Sequence, residues 1–207
     1  ERNDFSCALF TKSAELIANA PHIPVHLGSM DEAVKAVKNN CKVRPGESYI
    51  LNAPFYGGTH LPDVTIVTPL FYKRELIMWL ASRGHHADIG GKTPGSMPGD
   101  SKKLSEEGVI IAPTKIFANS VLKEDILKKI LTEATYPVRN YEMNLRDIQA
   151  KISANNKGIE EILKLVDTYS VAYIEKMSEK ILSYTHKKTL KVLSKFKETS
   201  AHKLINS

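Results

Sequence analysis

Two short segments of the 207-residue chain hold the side chains best suited to chemistry. The first, NAPFYGGTHLPD over residues 52–63, sets His60 and Asp63 three apart, with Pro62 stiffening the backbone between them. An imidazole nitrogen and a carboxylate oxygen together suit a borderline or hard divalent cation such as Zn, Mn or Fe. The second, ASRGHHADIGGKTPGSMPGD over residues 81–100, supplies Arg83, His85, His86 and Asp88. If strands flank both segments and pair as a hairpin, the start of one lies beside the end of the other. His60 and Asp63 then stand near His85, His86 and Asp88, and a set of two imidazoles and one carboxylate can hold a metal with positions left for substrate or water. Gly57, Gly58, Gly90 and Gly91 allow close backbone approach to a ligand, and the second glycine pair could offer N–H groups to an anion. Arg83 could clamp a substrate carboxylate in two-point fashion, or sit in a structural salt bridge. Ser6 and Cys7 are potential nucleophiles, but no base accompanies them in sequence.

The elements that must position these groups can be read from the surrounding pattern. Phe5–Phe10 predicts a strand with Leu16–Ala18 as its hairpin partner. Ser29 and Glu32 fit a capping box opening a short helix, with Ala33, Val34 and Val37 on one face. Ser48–Asn52 and Val64–Tyr72 are rich in Val, Ile, Thr and Tyr and predict strands. Glu75–Ser82 is apolar and ambiguous by period alone, but its place after a Lys-Arg turn favours an antiparallel partner for Val64–Tyr72. Beyond residue 120 the pattern turns helical: Ile126, Leu127, Ile130 and Leu131 share one face, Tyr136-Pro137 breaks the run, and an apolar stripe resumes from Leu145 through Leu163, Val166, Ile174, Met177 and Ile181 to Leu193. The fold class expected is α+β: a strand-rich N-terminal part with glycine-rich loops (1–120) followed by long helices (121–207). Leu163, Val166, Ile174, Met177 and Ile181 form an apolar face longer than one small domain covers, so another chain or the missing half of the protein is expected against the helical region from about Asn140 to Phe196.

Composition bounds the remaining classes. Hydrophobic residues make up 42% and charged residues 25%, as in an ordinary globular protein with a sizeable core. No apolar run approaches a membrane span and no signal-peptide pattern opens the chain, so a cytoplasmic protein without membrane partners is expected. The absence of an initiator Met suggests a processed or partial chain. Cys7 and Cys41 are too widely spaced for a metal knuckle or a disulfide framework and read as buried or semi-buried thiols. Most of the formal charge of +6 comes from the Lys-rich tail. There lysines alternate with glutamates and no aromatic platform accompanies them, which reads as a solvated helix face rather than a nucleic-acid surface.

ERNDFSCALF, HIPVHLGSM, NAPFYGGTHLPDVTIVTPLF, ASRGHHADIGGKTPGSMPGDS, EEGVIIAPTKI and NLRDIQAKISANNKG together resemble, in order, the hydantoinase B/5-oxoprolinase subunit family, which includes subunits of ketone carboxylases. The resemblance runs from Glu1 to about Gly158 and fades toward Leu193. It implies the metal-bearing B-type subunit, or a fragment of it, of an ATP-dependent cyclic-amide hydrolase. A hydantoinase A-type partner would supply the ATP and Mg chemistry, and the remaining half of the subunit would complete the protein. The same machinery serves as a ketone carboxylase in some relatives, and a truncated relative could persist as a non-catalytic interaction module. The resemblance carries the metal role to His60, Asp63 and His86, with His85 as substitute ligand; Asp63, His85 and Arg83 are the catalytic candidates, and Arg83, Gly57, Gly58, Gly90 and Gly91 the substrate-binding ones. Ala53 stands where many relatives carry Asp. The chain has no Gly-x-x-x-x-Gly-Lys-Ser/Thr loop of its own, in keeping with ATP chemistry on a partner.

Overall fold

A run such as VTIVTP, apolar on both parities, belongs in a strand covered on both sides. In the computed structural model, which describes residues 4–20 and 24–196, that run lies in the middle of one seven-stranded antiparallel sheet. The strands are β1 (Phe5–Thr11), β2 (Leu16–Asn19), β3 (Ser48–Leu51), β4 (Asp63–Tyr72), β5 (Glu75–His85), β6 (Thr114–Ala118) and β7 (Val121–Leu122). Their order across the sheet is β2-β1-β5-β4-β3-β6-β7. The expected hairpin between β4 and β5 is present, closed by Lys73 and Arg74, both at positive φ. β5 runs three residues past the expected end at Ser82, which brings His85 into the ladder. The strands β6 and β7, and the short helices α1 (Pro24–Leu27) and α3 (Leu104–Glu107), were not legible in the sequence pattern.

Each face of the sheet receives a helix. On one face α2 (Met30–Asn40) buries Met30, Ala33, Val34 and Val37 against Val67, Trp79 and Ala81. On the other, α4 (Glu124–Thr132) and α5 (Tyr141–Tyr169) bury Leu127, Leu131, Leu145, Ile148 and Ile152 against Val64, Ile66 and Ile116. The composition therefore changes near residue 120 without a break in the core: α4 and α5 are the second cover of the same sheet. The Ser29 hydroxyl does not cap α2 as expected; it accepts from Arg83 instead, and the first turn of the helix rests on the backbone bond from Ala33 to Ser29.

The last helix, α6 (Val171–Leu193), touches the rest through Val171 and Ile174, which pack on a third core of Leu70, Ile77, Met78, Leu80, Ile162 and Val166. Beyond that contact the expected stripe lies open at Ile181, Leu190 and Leu193, and Tyr184 is exposed as well. Of the Lys-rich tail, residues 197–207 lie outside the described residues.

Candidate metal centre

Side chains on a strand alternate between faces, so neighbours in sequence are separated by the sheet. Asp63 pairs with His85 across β4 and β5, and opposite residues in an antiparallel ladder share a face. One step along β1 from the Phe5–Gly84 pair lies Asp4, whose carbonyl accepts from the His85 N–H at 3.0 Å. Three adjacent strands thus present Asp4, His85 and Asp63 in one row, on the face that α2 covers. Two loops complete the cluster. The turn before β4 brings His60 Nδ1 to 3.2 Å from Asp63 Oδ2. The segment around α1 brings His26 Nε2 to 3.2 Å from the same oxygen. The His60 and His85 rings lie 5.1 Å apart between centroids.

Within this cluster, one ligand atom each from Asp4, His26 and Asp63 lies within 4.8 Å of the others. Asp63 and His26 are each only 1% exposed. Asp63 Oδ1 has no hydrogen-bond partner among the described residues, and His26 Nε2 has only its 3.2 Å approach to Asp63 Oδ2, which does not form a hydrogen bond. Buried polar atoms are rarely left orphaned, and a divalent cation among two carboxylates and an imidazole would satisfy both. The surroundings suit that role. His26 Nδ1 hydrogen-bonds the buried Ser6 hydroxyl at 2.9 Å, which orients the ring from behind. The Thr59 hydroxyl donates to Asp63 Oδ2 at 2.5 Å. Burial alone would push the Asp63 carboxyl up, but the neighbouring His26, the Thr59 hydroxyl and His60 outweigh it and hold it down at about 2. Asp63 is therefore ionised at any working pH. His60, with a side chain 34% exposed, forms the solvent side of the centre.

The residues singled out from the sequence fall into three groups. His60, Asp63 and His85 come together as described. His86 does not join them: it follows the end of β5 and turns to the α5 side, where Nδ1 bonds Asn144 Oδ1 and Nε2 bonds Lys151 Nζ, 2.5 Å each. Burial, with Lys151 adding to it, holds its pKa well below the usual histidine range, so the ring is neutral. With both nitrogens engaged, His86 turns no free lone pair toward Asp63, whereas His85, the expected substitute, lies on the same face as Asp63.

Arg83 and the glycines serve the chain's own packing. Arg83 is fully enclosed; Nε donates to Thr65 Oγ1 and Nη2 to Gly57 O, each at 2.7 Å, and Nη1 donates to Ser29 Oγ. An anion from solvent has no access to it, and it braces the loop that carries His60 rather than clamping a substrate. Gly57, at φ +79°, lies so close to α2 that a Cβ would stand 2.2 Å from Ala33 N, and a Cβ on Gly58 would stand 2.0 Å from Asn52 O. Gly90 and Gly91 press on Tyr136 and Glu107 in the same manner. Asp88 anchors that second loop, accepting from Gly90 N, Gly95 N and Arg139.

Sequence reasoning missed Asp4, His26 and Lys151. Asp4 and His26 sit in segments that carried the family resemblance, but nothing local says that β1, besides its hairpin with β2, also pairs with β5.

Comparison with known proteins agrees with the resemblance. The model of the hydantoinase B/oxoprolinase family matches residues 1–205. A 5-oxoprolinase of Saccharomyces cerevisiae is 43% identical over 96% of this chain, which spans 16% of that relative. The caprolactamase subunit beta of Pseudomonas jessenii is 34% identical, with 82% of this chain matched to 29% of the subunit. The crystal structure of that ATP-dependent caprolactamase superposes with a TM-score of 0.76 at 31% identity, over 86% of this chain and 30% of the caprolactamase chain. A nucleotide-free acetone carboxylase shares the fold at a TM-score of 0.74 and 23% identity, over 84% of this chain and 24% of the other.

Proposed function

Since the chain belongs to the hydantoinase B/oxoprolinase family, we propose that it carries the divalent-metal centre of an ATP-dependent cyclic-amide hydrolase of the 5-oxoprolinase type. The observation that carries the reading is the pair of orphaned buried atoms, His26 Nε2 and Asp63 Oδ1, facing into a cluster that also holds Asp4. Two carboxylates and an imidazole would hold the ion, with His60 and His85 beside it on the solvent side.

A bound divalent ion supplies Lewis acidity to an oxygen that gains negative charge as the amide bond is attacked. The chain's own residues set the conditions for that chemistry. Thr59 and His60 fix Asp63 from the solvent side, and Ser6 fixes His26 from the buried side. With Nδ1 turned to Asp63, His60 leaves Nε2 as the free nitrogen of its ring, in position to hand a proton to or from a substrate group. Arg83 holds Gly57, and through it the loop that places His60.

The chain spans 16% of the yeast 5-oxoprolinase and 29% of the caprolactamase subunit, so the whole activity belongs to a larger assembly. We assign the ATP and Mg chemistry to a hydantoinase A-type partner, since this chain has no phosphate-binding loop of the Walker kind. Hydrolysis is preferred over ketone carboxylation because relatives above 40% identity include 5-oxoprolinases, whereas the likeness to acetone carboxylase shows the fold alone. No helix among the described residues is long and apolar enough to cross a membrane. The test is reconstitution: the complete B-type protein with its A-type partner, Mg-ATP and 5-oxoproline should release glutamate and ADP only when loaded with divalent metal. Turnover that survives metal removal, or that consumes a ketone and bicarbonate and leaves 5-oxoproline intact, would overturn the assignment.

A further inference from the structure

We propose that Lys151 is a positioning residue for the metal centre: from α5, on the opposite face of the sheet, it donates to His86 Nε2 and so fixes the strand end that places His85 and Asp63. The inference rests on the metal centre proposed above.

The hydrogen-bond roles around His86 follow from its neighbours. Asn144 Nδ2 donates to Asp88 O and to Asn140 O, which leaves Asn144 Oδ1 as the acceptor. His86 Nδ1 must then carry the proton it shares with Asn144, and Nε2 must present a lone pair. Among the described residues the donor that meets this lone pair is Lys151 Nζ. The lysine is itself enclosed, and burial pulls its pKa down to about 7 against the opposing pull of Asp147 and Asp63. No carboxylate forms an ion pair with it among the described residues. An amine without a counter-ion is a costly choice for a helix face that otherwise buries Ile148 and Ile152, so its use is donation rather than charge.

The path to His86 is also built for this side chain. It passes over Gly84, where a Cβ would stand 2.9 Å from Lys151 Cε and 3.5 Å from Asp4 O. Lys151 therefore runs close behind the residue pair that links β1 to β5. His86 is the joint that receives it. Its backbone N–H donates to Pro62 O at 2.9 Å, in the loop between His60 and Asp63, and the preceding N–H, that of His85, donates to Asp4 O at 3.0 Å. A ring held by α5 on both nitrogens thus ties down two backbone bonds that set three of the metal-centre residues. Two further inward side chains of α5 support the same plate: Asn144 just described, and Asn155, which accepts from Ser82 and donates to Ile66 O and Thr68.

The experiment compares the full chain with Lys151→Gln, which keeps an uncharged N–H donor, and Lys151→Met, which does not. Mn2+ and Zn2+ are titrated calorimetrically, and histidine tautomers are read by long-range 1H–15N correlation. The wild type should show His86 protonated at Nδ1. Lys151→Met should bind metal at least tenfold more weakly, and Lys151→Gln should recover affinity to within about threefold of wild type. Equal affinity in wild type and Lys151→Met, or no recovery in Lys151→Gln, would overturn the proposal. If Lys151→Met does not fold, the Gln variant and the tautomer decide: a wild-type ring protonated at Nε2, or a folded Gln variant with weakened binding, counts against it. A wild-type chain that binds no metal at all would instead remove the metal centre, an outcome distinct from a selective failure of the Lys151 variants.

Discussion

Replacing Arg83 by Met separates a brace from a substrate clamp. Arg83 is, after Trp79, the largest fully enclosed side chain, and its three bonds reach Thr65, Ser29 and the carbonyl of Gly57. Hydrogen bonds from a charged donor contribute about 1.5–3 kcal/mol each, or roughly 5–9 kcal/mol for three. Against this, burial pulls the guanidinium from its ordinary value down to about 10, opposed by Asp63 and Asp31. A cost of about 3 kcal/mol for keeping it charged follows at about 1.4 kcal/mol per unit, and Met relieves it. Met fills much of the volume but leaves Gly57 O unpaired. The expected net loss is about 3 kcal/mol, which for a chain of this length lowers the melting temperature by roughly 6–12 °C. Trp79 is the single tryptophan, so its fluorescence in urea reports the unfolding directly. Unfolding within about 0.5 kcal/mol of wild type, the scatter of an ordinary surface substitution, together with lost affinity for a carboxylate substrate would refute the brace and restore the clamp.

Acid should weaken the metal-free fold through Asp63. Its folded pKa, about 2, lies below the ordinary 3.8, so the stability it contributes is present above pH 3.8 and is lost as pH falls toward 2. The loss reaches about 2 kcal/mol and should be missing from the difference between pH 5 and pH 2 in Asp63→Asn, measured by urea midpoints. Asn52→Ala should cost about 2–4 kcal/mol by the same assay. Its side chain bonds Leu61 O, Val109 O and Ile111 N, three buried backbone groups with no access to water once it is gone. Gly58→Ala should yield little folded protein in a solubility and circular-dichroism comparison, because the new Cβ would stand 2.0 Å from Asn52 O.

Much of the sheet was legible because β4 and β5 are local partners. An apolar run, a two-residue turn and a second apolar run specify a hairpin without knowledge of the rest. The same reading brought His60, Asp63 and the His85-His86 pair to one end of the sheet. It could not choose between the two histidines, since a one-residue difference in where β5 stops decides which face each one takes. Asp4 and His26 were hidden for a different reason: β1 reaches the centre by pairing with β5 across more than seventy residues of chain, and no periodicity encodes such a partner. The four glycines drew attention as ligand contacts, yet they answer to neighbouring backbone, a demand visible only once α2 and the loops are in place. The apolar stripe was read correctly as helical, but Leu163, Val166 and Ile174, expected against another chain, pack on the third core of this one, while Ile181 stands exposed.

If Asp4, His26 and Asp63 hold one divalent cation, calorimetric titration of Mn2+ and Zn2+ into the chelator-stripped chain will register it. One ion per chain is expected, with affinity reduced at least a hundredfold in Asp63→Asn and substantially in His26→Ala, while the variants keep the circular-dichroism spectrum of the wild type. Binding that is undiminished in both variants would contradict it.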